Sequence, residues 1–474
     1  MTISSRHTIG AFSIAMMTVT SVDSIRNLPA IALFGSSLIF FFIIAAVCFL
    51  LPSAMVSAEL ATGWSKTGGI YIWVKEAFGK KAGLLAIWFQ WIENVIWYPT
   101  LLSFIAGSIA YIFSPSLAAN KYYLMSVIVA TFWIVSLLNL RGIKLSARFS
   151  SLCGIFGLML PMSMVIVLGI IWVILGKPLQ VHFNLAAMAP NFHNPSILVS
   201  LTAIVLCFCG MEIATVHSQH VTNPARDYPL ALKFSVIFIM ITMLLGALAI
   251  AVTVSSSQLS LVSGISQALQ MYLNAYHLGW VTPIIMLLVL FGILGSLSPW
   301  IIAPRRGMQI ALNDLQLFPT LIKENRFLVP TPLIIYQAII VTLLAGVFLL
   351  LPSVNASYWI LTAMTAQLYM GMYILMFAAA IALRYRRPEV VRAYRIPGGK
   401  PGIWIVAGAG FMISIITIII GFFPPDGINI GSIWHYEAIM FTGLFLMSIP
   451  PFIILAWHAR KQAAALAAIP TIEN

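Results

Sequence analysis

Charge is what this chain of 474 residues has least of: 25 Lys and Arg with 12 Asp and Glu make up only 8% of it. A soluble domain carries about 25% charged residues, so a water-exposed surface of this size would lack the ions to cover it. Hydrophobic residues reach 61%, against about 45–50% in soluble chains. Cysteine is scarce as well, and Cys48, Cys153, Cys207 and Cys209 all fall in apolar segments. Cys207 and Cys209 are two residues apart and leave a helix in different directions. That spacing argues against a metal pair or a disulfide and favours inert, buried thiols. Also missing are His-Glu-x-x-His, Gly-x-Ser-x-Gly and paired acidic residues at metal-ligand spacing, which argues against an intramembrane enzyme. No filter-like repeat suggests a channel. No cofactor, metal or nucleic-acid partner is expected, and nothing in the sequence fixes an oligomeric state.

What is present is a succession of apolar runs, each long enough to cross a bilayer core of about 30 Å. The runs are continuous rather than alternating, so they read as helices and not as strands of a barrel. Spans are expected at 8–34, 36–58, 83–112, 122–140, 149–175, 197–219, 231–254, 279–303, 331–351, 356–383, 403–423 and 435–457. With the N-terminus inside, 22 of the 25 basic residues fall on the inner side, in the even-numbered links and at the ends as Arg6, Arg460 and Lys461. Lys121 and Lys177 lie on the other side, and Arg26 lies within span one. This is the positive-inside pattern. The expectation is an all-α polytopic membrane protein with 12 transmembrane helices and both termini cytoplasmic, its net charge of +13 reflecting topology and contact with the lipid bilayer. Arg6, the apolar run 9–19 and Ala30-Ile31-Ala32 imitate a cleavable signal peptide, but Asp23, Arg26 and Asn27 occupy its would-be cleavage region. Span one is therefore read as retained.

Two spans are interrupted. Span one turns polar through Thr18, Thr20, Ser21, Asp23, Ser24, Arg26 and Asn27 and reaches Pro29, while span six is apolar to Phe208 and then gives way through Gly210, Glu212, Thr215, His217 and Gln219. The breaks lie five spans apart, and an odd repeat flips its topology. Two interrupted helices at matching positions of two halves mark a transporter built from inverted repeats, with its site at the midplane. Free amides and carbonyls at that depth are tolerated where they line a cavity, and a half-helix N-terminus there suits a carboxylate.

Away from the span ends, ionisable groups within the spans are few: Asp23, Arg26, Glu93 and Glu212, with Glu59 at the end of span two. Each costs about 2.5–3.5 kcal/mol at the bilayer centre on insertion scales, so each needs a partner or a watery cavity. Asp23 and Arg26 would neutralise one another at i, i+3 on a helix; alternatively Arg26 receives a substrate carboxylate and Asp23 an amine. Glu212 reads either as a proton acceptor or gate or as a ligand of frayed backbone. Glu93 reads either as inter-helix glue or as a contact to substrate or proton. Glu59 is expected to cap or anchor the end of span two. Among the aromatics, Trp97, Phe208 and Trp300 stand near the breaks, and Trp300 either packs or closes over a bound amine through a cation–π contact.

Several stretches then become recognisable. Gly68-Gly-Ile-Tyr-Ile-Trp-Val-Lys-Glu-Ala-Phe-Gly79, Gly210-Met-Glu-Ile-Ala-Thr-Val-His217 and Asn223-Pro-Ala-Arg-Asp-Tyr-Pro229 resemble the amino acid–polyamine–organocation superfamily of transporters. Trp300-Ile-Ile-Ala-Pro-Arg-Arg-Gly-Met308, Arg395-Ile-Pro-Gly-Gly-Lys400 and Phe423-Pro-Pro-Asp426 are similar to its bacterial glutamate/GABA antiporter group. The resemblance covers about 8–460. It implies a LeuT-like 5+5 inverted repeat with helices 1 and 6 broken: a transport core over 1–384 (repeats 8–176 and 197–384) and peripheral helices 11 and 12 over 385–474. It matches Val22, Asp23, Ser24, Leu206 and Phe208 to substrate-site positions and Glu212 to the acidic residue past the break. With Arg26, Gly210 and Trp300 read from the breaks themselves, the expected substrate site is Val22, Asp23, Ser24, Arg26, Leu206, Phe208, Gly210 and Trp300, and Glu212, Glu93 and Trp97 are expected in proton coupling or gating. Val22-Asp23-Ser24 departs from the group's small-residue Gly-Ser-Gly type segment. The chain also ends 17 residues after Trp457, where the glutamate/GABA antiporter has a longer, plugging tail. The function implied is alternating-access exchange of a glutamate-like or neutral amino acid for a related amine or amino acid, in a bacterial inner membrane. Proton-coupled amino-acid or polyamine uptake is the alternative, with Glu212 or Asp23 as carrier.

Overall fold

In hydrocarbon each backbone amide must find its partner within its own segment, and the chain meets that demand with helices throughout. The computed structural model describes residues 10–64, 68–141, 155–181, 183–184, 188, 198–213, 221, 223–327, 329–426 and 428–467. Their main elements are α1 (Ala11–Val22) and α2 (Leu28–Ala32), α3 (Gly35–Gly63), α4 (Ile70–Phe78), α5 (Lys80–Phe113), α6 (Lys121–Leu140) and α7 (Leu160–Ile174). They continue with α8 (Ser200–Cys207), α9 (Pro224–Thr253), α10 (Gly264–Ala275) and α11 (Thr282–Asp314). The last are α12 (Thr331–Leu350), α13 (Val354–Arg386), α14 (Gly399–Ile420), α15 (Ile433–Ser448) and α16 (Pro450–Ala467). No strand occurs among the described residues; Glu324 and Pro330 form an isolated bridge.

Eight helices among the described residues are long and apolar enough to cross a membrane: α3, α5, α6, α9, α12, α13, α14 and the stretch Ile433–Arg460. Shorter apolar helices at Leu160–Ile174 and Gly279–Leu294 add to them. The protein is thus an all-α, multi-pass membrane protein. The span expected at 149–175 is described only from Ile155, and the end of the span at 197–219, from 214 on, with Thr215, His217 and Gln219, lies outside the described residues.

Proline shapes several of these helices. Pro52 has no N–H to offer the carbonyl of Cys48, and a π-turn, Ala46–Leu50, stands just before it in α3. Pro161 is likewise preceded by a π-turn, Ile155–Met159. Such one-turn widenings absorb a missing ladder bond without ending the helix.

α5 is the post of the bundle, 78% of its apolar window being buried, against 11% for Ile433–Arg460. It packs along α11 on one side and α13 on another. α1 and α2 lie against α9, and α8 lies between α3 and α13. The arrangement sets the break after α1 beside the middle of α5.

The ends of the helices that carry the basic links are tied by charge. Glu59, at the end of α3 and only 2% exposed, forms an ion pair with Arg384, a second with Arg392 Nε at 3.3 Å, and accepts the Ile396 N–H at 2.8 Å. The expectation that Glu59 anchors the end of its span is met, and its partners lie on α13 and the link that follows. Nearby, α4 is pinned to the end of α11, where Asp314 accepts from Tyr71 Oη at 2.6 Å and pairs with Lys75 and with Lys80, the latter at 3.0 Å.

Candidate functional site

The break after α1 follows from its sequence. The hydroxyls of Thr18, Thr20 and Ser21 donate back to the carbonyls of Ile14, Met16 and Met17, which loosens the last turns of a helix. Asp23 (φ −70°, ψ 117°) and Ser24 (φ −139°, ψ 112°) are then extended. The chain resumes as a 3₁₀ turn at Ile25–Asn27, in which Leu28 N–H bonds to the Ile25 carbonyl, a carbonyl that Pro29 could not reach with a hydrogen bond. The Asn27 N–H bonds to the Ser24 carbonyl, so the amides of Ser24, Ile25 and Arg26 precede the first intrahelical bond of the second half.

The second break faces the first. α8 ends at Cys207, the chain tightens through Phe208 N–H to the Val205 carbonyl and Cys209 N–H to the Leu206 carbonyl, and Gly210 takes φ +108°. A Cβ built on Gly210 would stand 3.2 Å from the Ser21 carbonyl oxygen and 3.6 Å from the Trp300 ring. Glycine is therefore favoured by the backbone angle, and the close approach of the two broken segments leaves little room for a side chain. Gly210→Ala is expected to keep the protein folded and to lower transport at least tenfold, since non-glycine residues held in such regions cost about 1–3 kcal/mol. Transport rates normalised to purified protein in vesicles check this; an unchanged rate would show that the approach of the two breaks is not needed.

Between the breaks lies a cavity of about 70 Å³. Val22, Asp23, Ser24, Arg26, Leu206 and Trp300 line it together with Glu93 and Trp97, and so do Leu101, Cys209, Ile293 and Tyr369. Asp23 and Arg26 do not pair: none of the ion pairs among the described residues includes either one. The i, i+3 geometry presumed a helix, and the extended Asp23–Ser24 backbone separates the two side chains. Arg26 instead donates through Nη1 to Thr100 Oγ1 at 2.7 Å and lays its guanidinium 4.9 Å from the Trp97 ring centroid. Thr100 Oγ1 in turn donates a hydrogen bond to the Trp97 carbonyl at 2.7 Å. Asp23 Oδ2 accepts from Thr242 on α9 at 2.9 Å. Trp97 and Trp300 close the stack, their centroids 5.3 Å apart.

Three buried polar atoms of residues lining this cavity have no hydrogen-bond partner among the described residues: Asp23 Oδ1, Arg26 Nε and Glu93 Oε1. A polar group left unsatisfied in a dry interior costs about 1–3 kcal/mol, and more when charged.

Gly210 and Glu212 stand just outside the lining. Glu212 is held by Tyr369 Oη (2.6 Å), Tyr373 Oη (2.5 Å) and Gln90 Nε2 (3.2 Å). Tyr373 Oη also accepts the Gly210 N–H at 2.9 Å. The carboxylate thus fastens the second break to α13 and α5, and Tyr369 carries the connection into the cavity wall. Phe208 turns away from the cavity and packs edge-on against Phe42 at 5.2 Å. Sequence reasoning missed Gln90, Thr100, Thr242, Tyr369 and Tyr373. A signal existed for some of them: Gln90, Glu93, Asn94, Trp97 and Leu101 share one face of a helix, as do Tyr369 and Tyr373.

Comparison with known proteins decides the family. A sequence profile described as amino acid permease matches residues 9–445. The chain belongs to the amino acid permease family. Within that family it is 41% identical over 454 residues to a transporter of Legionella pneumophila described as uncharacterized, covering 96% of this chain and 98% of the relative. It is 31% identical to the glutamate/gamma-aminobutyrate antiporter of Lactococcus lactis, covering 96% and 91%. Among solved structures, the fold is like that of the Eremococcus coleocola manganese transporter, crystallised with an aromatic bis-isothiourea substituted compound. The TM-score is 0.57 at 12% identity, over 95% of this chain and 94% of that one. As a permease family member the chain is a transporter of small molecules.

Proposed function

We propose that the protein exchanges a glutamate-like or neutral amino acid for a related amine or amino acid by alternating access, with the cavity between the two helix breaks as the substrate site. The observation that carries this reading is the junction of the breaks at Gly210 and the Ser21 carbonyl, beside a cavity lined by one guanidinium and two carboxylates that form no ion pair among the described residues. Arg26 and the amides of Ser24–Arg26 receive the carboxylate. Asp23 and the free carbonyls ending α1 receive the amine, and Trp300 closes over it. Glu212, through Tyr369 and Tyr373, passes the state of the cavity to α13. The 31% identity to a glutamate/gamma-aminobutyrate antiporter supports exchange of this substrate class.

The same reading places the chain in a bacterial inner membrane with both termini cytoplasmic, as the distribution of basic residues asks. Twelve spans would form two inverted repeats, 8–176 and 197–384, with 385–474 peripheral. The ion cluster at Glu59 would hold that peripheral part to the core. A second reading, proton-coupled uptake of an amino acid or polyamine, is favoured by Asp23 and Glu93, two carboxyl groups without an ion-pair partner among the described residues.

Counterflow in proteoliposomes separates the two. Vesicles loaded with unlabelled glutamate are expected to take up labelled GABA, and empty vesicles are not. Uptake into empty vesicles driven by an imposed proton gradient would replace exchange with the second reading.

A further inference from the structure

Glu93 has no task in the exchange scheme so far, yet it is 2% exposed, lines the cavity and leaves Oε1 unpartnered. No described Lys, Arg or His forms an ion pair with it. Its position relative to Arg26 is set by α5. Arg26 is fixed over Trp97 and onto Thr100, and Glu93 lies four residues before Trp97 on the same face. At 1.5 Å per residue, the backbone of Glu93 lies about 6 Å along the helix axis from that of Trp97 and about 10 Å from that of Thr100. Apolar and aromatic side chains, Leu101, Leu206, Ile293, Trp97 and Trp300, line the same cavity. A cation and an anion about one to two helical turns apart on the wall of one cavity are complementary to a molecule with the opposite charges at its two ends. A chain of four or five carbons has about the required length.

We propose that Glu93 is a specificity-determining residue that takes the distal ammonium of an ω-amino acid whose carboxylate Arg26 holds. This rests on the cavity being the substrate site. A substrate with a carboxylate at that end instead meets Glu93 as a like charge and is disfavoured by it. Glu93 thereby separates the two partners of the exchange.

The test is counterflow by the full-length protein in proteoliposomes, with labelled GABA, 5-aminovalerate and glutamate as probes. Glu93→Gln is expected to raise the half-saturating concentration of GABA at least tenfold and to leave that of glutamate unchanged or lower. Glu93→Asp draws the carboxylate back by one methylene and is expected to shift preference from GABA toward the longer 5-aminovalerate. A loss shared equally by GABA and glutamate in both variants would make Glu93 a packing residue and overturn the proposal, as would no change in either. If the wild-type protein exchanges glutamate but no ω-amino acid, this inference fails while the exchange reading stands. If it exchanges none of the three, the exchange reading itself fails.

Discussion

Arg26→Ala is expected to abolish exchange of carboxylate-bearing substrates, lowering the rate at subsaturating substrate by about a hundredfold or more. Truncating one member of a buried, hydrogen-bonded charge pair costs about 2–5 kcal/mol, and each 1.4 kcal/mol is a factor of ten. Arg26 is 3% exposed and is already held in place by Thr100 and Trp97, so little side-chain entropy remains to be lost when a carboxylate arrives. Lysine restores the charge but not the plane that lies over Trp97. Arg26→Lys is therefore expected to recover only part of the rate. Thr100→Val, which removes the hydrogen bond and keeps the volume, should weaken the substrate several-fold. The measurement is initial counterflow rate against substrate concentration, on protein shown to be monodisperse by size exclusion. A near wild-type rate in Arg26→Ala would mean that the guanidinium is structural.

The largest effect on stability is expected at Glu59. Removing its carboxylate leaves Arg384, 2% exposed, and Arg392 without their counter-ion, and breaking a buried pair from one side costs about 3–5 kcal/mol. Glu59 also accepts the Ile396 amide, so the link after α13 loses its anchor to α3. Glu59→Ala should yield little monodisperse protein and a clearly lower apparent melting temperature in detergent. Glu59→Gln can still accept from the amide and is expected to fall between. Equal stability of wild type and Glu59→Ala would show that the cluster is dispensable. The pairing was not foreseeable in detail, since Arg384 lies 325 residues away along the chain.

That separation marks the boundary between what a single sequence reveals and what it does not. The helices were legible because lipid demands long apolar runs, and the breaks because Asp23 to Pro29 and Gly210 depart from them. Partners were not. Asp23 and Arg26 look like a pair only while the intervening backbone is taken as helical; once it is extended, Thr242 and Thr100 become their neighbours. Phe208 sits at the break, but the rotation of α8 that sends it to Phe42 depends on how α3 and α13 pack around it. Glu212 was visible as an intramembrane acid, whereas its tyrosine partners on α13 come from 157 and 161 residues on. Resemblance supplied the helix order, and the geometry supplied who touches whom.

The most direct test of the central claim is the accessibility of Ser24, which lines the cavity at the break. Ser24→Cys would be made with Cys48, Cys153, Cys207 and Cys209 replaced by serine and counterflow retained. A membrane-impermeant charged methanethiosulfonate would then be applied from each side of vesicles of known orientation. The account predicts modification from both sides, slowed by saturating concentrations of a transported substrate and unaffected by a compound that is not transported. Modification from neither side, or from both at a rate no transported substrate alters, would contradict a substrate site that alternates between the two faces.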